Sequence, residues 1–137
     1  MIIENEFRTR KIEFTRIESV KEQYPSHRIK VGIATENIKT DFNNYIWLSD
    51  EDIERFLIEL DALDRSRKGN ATLGSMSPGE MTLTFRPIDD LGHLSVSLRF
   101  VKEDRINRDY SFDVKVEFQI DPTSLTSVRN GTLMLME

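Results

Sequence analysis

The chain contains no cysteine and only two histidines, His27 and His93. The first absence excludes disulfides, thiolate metal sites and a cysteine nucleophile, and the second leaves little from which to build an imidazole zinc site. No metal or other cofactor is expected. No uninterrupted apolar run approaches the ~20 residues that a membrane-spanning helix needs, and Met1-Ile2-Ile3-Glu4-Asn5-Glu6 lacks the charged-then-apolar order of a secretory signal. The expected location is the cytoplasm, with no membrane partner. The six glycines form neither a Walker nor a dinucleotide-binding pattern, so no phosphate-cradling turn is expected. Basic charge is also in deficit: 19 Lys and Arg face 24 Asp and Glu, a net charge of -5. Phosphate-backbone binding is driven by cations, so nucleic acid is not the expected ligand.

With 137 residues, 38% hydrophobic and 31% charged, the chain has the composition of a folded globular unit, and a single domain over residues 1–137 is expected. The acidic charge is concentrated. Residues 50–64 hold seven acids against Arg55, a net of -6, so the rest of the chain sums to +1. Such a segment is ordinarily a solvated helix face; the alternative is a surface that steers a basic partner.

Period-two alternation of apolar residues predicts strands over residues 11–18 (Ile12, Phe14) and 28–36 (Ile29, Val31, Ile33), joined by a polar connection containing Pro25 and His27. Tyr45-Ile46-Trp47-Leu48 reads as a third strand. Ser49 is placed to cap a helix, with Asp52 reaching back and Asp50 and Glu51 at the positive helix end. Ile53, Phe56, Leu57, Leu60 and Leu63 recur at helical spacing, and Gly69 is the expected left-handed stop. Residues 71–76, 81–86, 93–101 and 110–120 then read as a four-strand meander, with a charged loop over 102–108. Asp121-Pro122 with Leu125 and Val128 admits a short C-terminal helix that Gly131 should weaken. No internal repeat is visible. The expected fold is α+β: a mostly antiparallel sheet of about six to seven strands, covered on one face by one main amphipathic helix.

The chain offers little for catalysis. His93 follows Asp89 and Asp90 at a turn, and an imidazole there is more readily a hydrogen-bonded turn residue than a base or ligand. On the helical wheel Ile58 falls opposite the Ile53/Phe56/Leu60 stripe, near Glu51, Glu54 and Arg55. An apolar residue with a charged rim is a candidate contact point, although single exposed aliphatics are common. The candidate partner-binding residues are Glu51, Glu54, Arg55, Ile58 and Asp61.

The order of motifs resembles the WapI-type immunity protein family, small bacterial cytosolic proteins encoded beside polymorphic toxins. The matching residues are Asp52 to Leu60, Gly69 to Leu73, Ser75-Met76-Ser77-Pro78, Leu91-Gly92-His93-Leu94-Ser95-Val96, and Phe118 to Leu125. They span roughly residues 45 to 128. The family generally closes with a longer amphipathic helix, whereas here Arg129-Asn130-Gly131 interrupts the pattern. The resemblance implies a non-catalytic inhibitor that binds a cognate toxin domain. Many such toxins act on nucleic acid and carry cationic surfaces, so an acidic antidote would gain association rate by steering. Two alternatives stay open: a structural or regulatory domain, including a homodimer formed through an exposed sheet edge, and an enzyme using His93 with Asp89 or Asp90.

Overall fold

The computed structural model describes residues 1–103 and 106–137, with side chains throughout except at 38–42. Eight strands and two α-helices follow one another as β1 (Ile2–Glu4), β2 (Arg10–Val20), β3 (Ser26–Thr35), β4 (Ile38–Ser49), α1 (Asp50–Ser66), β5 (Ala71–Gly74), β6 (Met81–Pro87), β7 (Leu94–Glu103), β8 (Ser111–Ile120) and α2 (Leu125–Leu135), with one 3-10 turn at Pro122–Ser124. All strand pairs are antiparallel, and they form two four-stranded sheets ordered β1-β2-β3-β4 and β5-β6-β7-β8. The architecture is α+β, with one main helix and a shorter C-terminal one, as the residue pattern indicates. The strands number eight rather than six to seven, and they divide between two sheets. β1 escapes sequence reading because Ile2-Ile3-Glu4 is too short to show an alternation. The predicted loop over 102–108 falls partly outside the described residues.

The alternation seen in the sequence sets which residues face inward. Ile12 and Phe14 of β2, Ile29, Val31 and Ile33 of β3, and Ile46 and Leu48 of β4 are buried, as are Leu83 and Phe85 of β6 and Val96, Leu98 and Phe100 of β7. These residues join Ile53, Phe56, Leu60 and Leu63 of α1 and Leu125, Val128 and Leu135 of α2 in one contiguous core. Each such side chain contributes about 1.5 to 3 kcal/mol by leaving water. α1 packs mainly on β5, with further contacts to α2 and β4. The Phe56 and Phe85 rings lie 6.0 Å apart at 39°, a tilted pair that pins α1 to the second sheet. Register shifts in β2 between Arg16 and Glu18, a bulge after which Arg16, Ile17 and Glu18 are exposed.

Topologically the chain repeats itself: four antiparallel strands followed by a helix, twice. The sequence shows no repeat because the shared plan constrains which positions are buried and not which residues fill them.

The Ser49 cap forms as expected, with Oγ accepting from the Asp52 N–H at 3.1 Å and donating to Asp52 Oδ2 at 2.7 Å. The stop differs. α1 ends at Ser66, and the left-handed cap is Arg67 (φ 56°), its N–H donating to the Leu63 carbonyl at 2.8 Å; Gly69 is left-handed as expected (φ 78°) but lies two residues beyond the cap. At the C-terminus, α2 continues through Gly131 to Leu135. A Cβ at position 131 would stand 2.9 Å from Met1 Cβ, so the glycine admits the N-terminal strand against the helix. What reads in sequence as a helix weakness is a packing requirement.

Candidate partner-binding surface

α1 presents the acidic segment, and its seven carboxylates have distinct surroundings. Asp50 accepts from His27 Nε2 at 2.5 Å. Asp52 is held by Ser49 and by Arg55 Nη2 at 2.5 Å. Glu59 reaches the edge of β5, where its Oε1 accepts from the Thr72 N–H at 3.0 Å. Asp61 pairs with Arg129 of α2 at 3.0 Å, and Asp64 with Arg67 at 3.2 Å. Among the described residues Glu51 and Glu54 have no such partner, and both are exposed.

The structure therefore divides the five residues selected from sequence. Glu51, Glu54 and Ile58 share the outer face of α1, with Ile58 70% exposed. Arg55 is also exposed there, but its guanidinium is tied to Asp52. Asp61 lies on the flank toward α2 and serves a helix-to-helix ion pair. No local signal marks that role, since Arg129 is 68 positions away. Exposed pairs of this kind contribute little to stability, so Asp61 remains accessible as charge while its geometry is set by the fold. An apolar side chain ringed by two unneutralised carboxylates and a fixed guanidinium can meet a surface that is basic at its rim and apolar at its centre.

A concavity of about 440 Å³ lies between the turn joining β1 to β2 and the end of β8; it is lined by Glu6, Phe7, Arg10, His93, Gln119 and Asp121, among others. Asp89 accepts from His93 Nδ1 at 2.5 Å and from the Leu91 N–H at 2.8 Å, while Gly92 takes φ 89°, a conformation open to residues without a Cβ. The His93 hydrogen bond holds the Asp89 carboxyl below its ordinary range. The His93 pairing agrees with the turn-histidine reading, but the imidazole also borders a cleft, which the sequence did not show. Arg10 is already bound to Glu36 at 2.8 Å. No serine or threonine is among the described residues lining the cleft, so an orienting acid and a base stand there without a hydroxyl nucleophile beside them.

His27 departs from its sequence reading altogether. It is the second residue of β3 and 1% exposed, not a member of a polar loop. Its Nε2 lies 2.5 Å from Asp50 Oδ1, which accepts from it, and its Nδ1 lies 2.7 Å from Ser19 Oγ. Ser, His and Asp are thus aligned, but the imidazole is enclosed and lines none of the described cavities. The row ties β2, β3 and the start of α1 together.

No helix among the described residues is long and apolar enough to cross a membrane. No curated protein sequence matches the chain. Among solved structures, Trypanosoma brucei MRP1/MRP2 aligns over 97% of this chain and 81% of that one, at 12% identity and a TM-score of 0.41, a likeness too slight to carry any argument. The model of the immunity protein WapI-like family matches residues 3–132, which takes in most of β1 and of α2 as well as the motifs between them, and the chain belongs to that family.

Proposed function

We propose that the protein is a non-catalytic immunity protein of the bacterial cytoplasm, which binds a cognate toxin domain and neutralises it by protein–protein contact without a cofactor. The observation that carries this reading is the family match over residues 3–132. The outer face of α1 supports it: Glu51 and Glu54 supply negative charge that no described side chain neutralises, and Ile58 supplies an apolar contact. In this reading the carboxylates steer a cationic toxin surface, Ile58 anchors it, and Arg55 and Asp61 border the contact in positions fixed by Asp52 and Arg129.

Co-expression with the toxin domain encoded beside the gene tests this function. Growth is expected to be rescued by the intact chain and to be lost when α1 carries Glu51→Lys, Glu54→Lys and Ile58→Asp together in a protein that still folds. Absence of rescue by the intact chain would refute the immunity reading. Rescue by the triple variant would remove α1 from the contact.

A further inference from the structure

Of the four edge strands two, β1 and β5, are short, and a third, β4, is bonded at Trp47 from outside its sheet. β1 is three residues long. On β4, the Trp47 carbonyl accepts from the Met76 N–H at 2.8 Å. On β5, the Thr72 N–H donates to Glu59 of α1. β8 is the exception. It is ten residues long, and from Asp113 to Ile120 no hydrogen bond from a described residue outside β7 reaches its backbone. Natural proteins seldom leave such an edge without a device that controls what pairs with it.

The inward side of β8 is unfinished over the same stretch. Val114 and Val116 are half-buried, whereas Phe100 and Leu98, their neighbours on β7, are fully buried. Further along β8, Phe118 and Ile120 are buried by the protein's own fold. We propose that β8 pairs antiparallel with β8 of a second copy of this chain, the two Val114 residues opposed, joining two four-stranded sheets into one of eight. A strand laid there covers the valines and satisfies the outer N–H and C=O groups.

Charge and burial together select the register. The outward face of β8 reads Asp113, Lys115, Glu117. With the two Val114 residues opposed, each Asp113 faces Lys115 of the second copy, beside Arg99, which already binds Asp113 at 2.6 Å. Centring the pair on Lys115 instead opposes lysine to lysine and Asp113 to Glu117, which repel. Centring it on Val116 restores a Lys115 to Glu117 pairing but runs the partner strand to Ile120. Phe118 and Ile120 are already buried by the protein's own fold, so that register lays the partner strand over residues that gain little by being covered. The Val114 register uses residues 111–117 alone. A contact of one strand pair lies at the small end of specific interfaces, so a dissociation constant of roughly 10 to 100 µM is expected.

Sedimentation of the intact chain across this concentration range tests the proposal without any toxin, so its outcome is separate from that of the immunity reading. A monomer–dimer equilibrium is expected. Asp113→Lys and Lys115→Asp should each weaken it at least about tenfold, and the two together should restore it, with circular dichroism confirming that each variant folds. Because the chain has no cysteine, Val114→Cys gives a single reporter thiol. Oxidation or a short dimaleimide should trap it as a dimer, whereas Ser97→Cys on β7 should stay monomeric. A chain that remains monomeric throughout the range, or a dimer indifferent to both charge reversals, would overturn the proposal.

Discussion

Nε2 of His27 lies 2.5 Å from Oδ1 of Asp50, joining the second residue of β3 to the first residue of α1 from inside the fold. With Ser19 on the other ring nitrogen, both imidazole nitrogens are satisfied although the ring is buried. His27→Ala opens a cavity and strands two polar groups, so a loss of about 2 to 4 kcal/mol is expected. Asp50→Ala should cost less, about 1 to 3 kcal/mol, because it removes only one of the ring's partners. Urea unfolding measures both; a His27→Ala loss below about 0.5 kcal/mol would show that the row does not support the fold.

Gly131 offers a test in which helix propensity and packing give opposite signs. In an exposed helix, replacing glycine by alanine gains about 1 kcal/mol. Here the new methyl group would meet Met1 Cβ at 2.9 Å and Met1 Cα at 3.0 Å, and overpacking typically costs about 1 to 3 kcal/mol. Gly131→Ala is therefore expected to destabilise the protein by about 1 kcal/mol on balance. A rise in the urea midpoint would contradict the close approach.

The pair between Arg99 and Asp113 gives a pH dependence. The Arg99 hydrogen bond holds the Asp113 carboxyl below its ordinary range, and the same contact holds the Arg99 guanidinium above its own. Folding thus favours ionised Asp113. That contribution is complete above the ordinary aspartate range, about pH 4, and is lost as the pH falls through the lowered value. Asp113→Asn, which resembles the protonated acid at every pH, should flatten the acid limb of stability below about pH 4 and lower the neutral plateau by the same amount, small because the pair is exposed. Unfolding midpoints from pH 2 to 6 decide; an unchanged acid limb would show that the pair is not formed in solution.

For the α1 face, Glu51→Gln with Glu54→Gln should slow association with the toxin domain several-fold at low salt, and the difference should vanish near 1 M salt, where the screening length is about 3 Å. Ile58→Ala should act on dissociation instead. Stopped-flow association and competition-monitored dissociation separate the two. Equal association rates at low salt would exclude steering by these carboxylates.

Much of this was written in local pattern. The Ser49 cap, the Ile53/Phe56/Leu60/Leu63 stripe and the alternation through β7 and β8 each depend on neighbours within a turn or a strand, and each forms as read. The relationships that escaped are those set by distant partners. Asp61 reads in sequence as a candidate partner contact because Arg129 is far along the chain, and Gly131 as a helix weakness because Met1 lies at the other end. His27 followed Pro25 in a polar stretch, and nothing local announced that Ser19 and Asp50 would converge on it. The division into two sheets was hidden for the same reason, since alternation fixes the faces of a strand but not which sheet it joins.

The most direct test of the account is a titration of the purified toxin domain's activity with the purified protein. Inhibition by contact requires a linear fall that ends at one protein per toxin, independent of incubation time. Complete protection by a small fraction of an equivalent, growing with time, would mean that the protein turns over a substrate, and no inhibition at several equivalents would contradict the immunity reading itself.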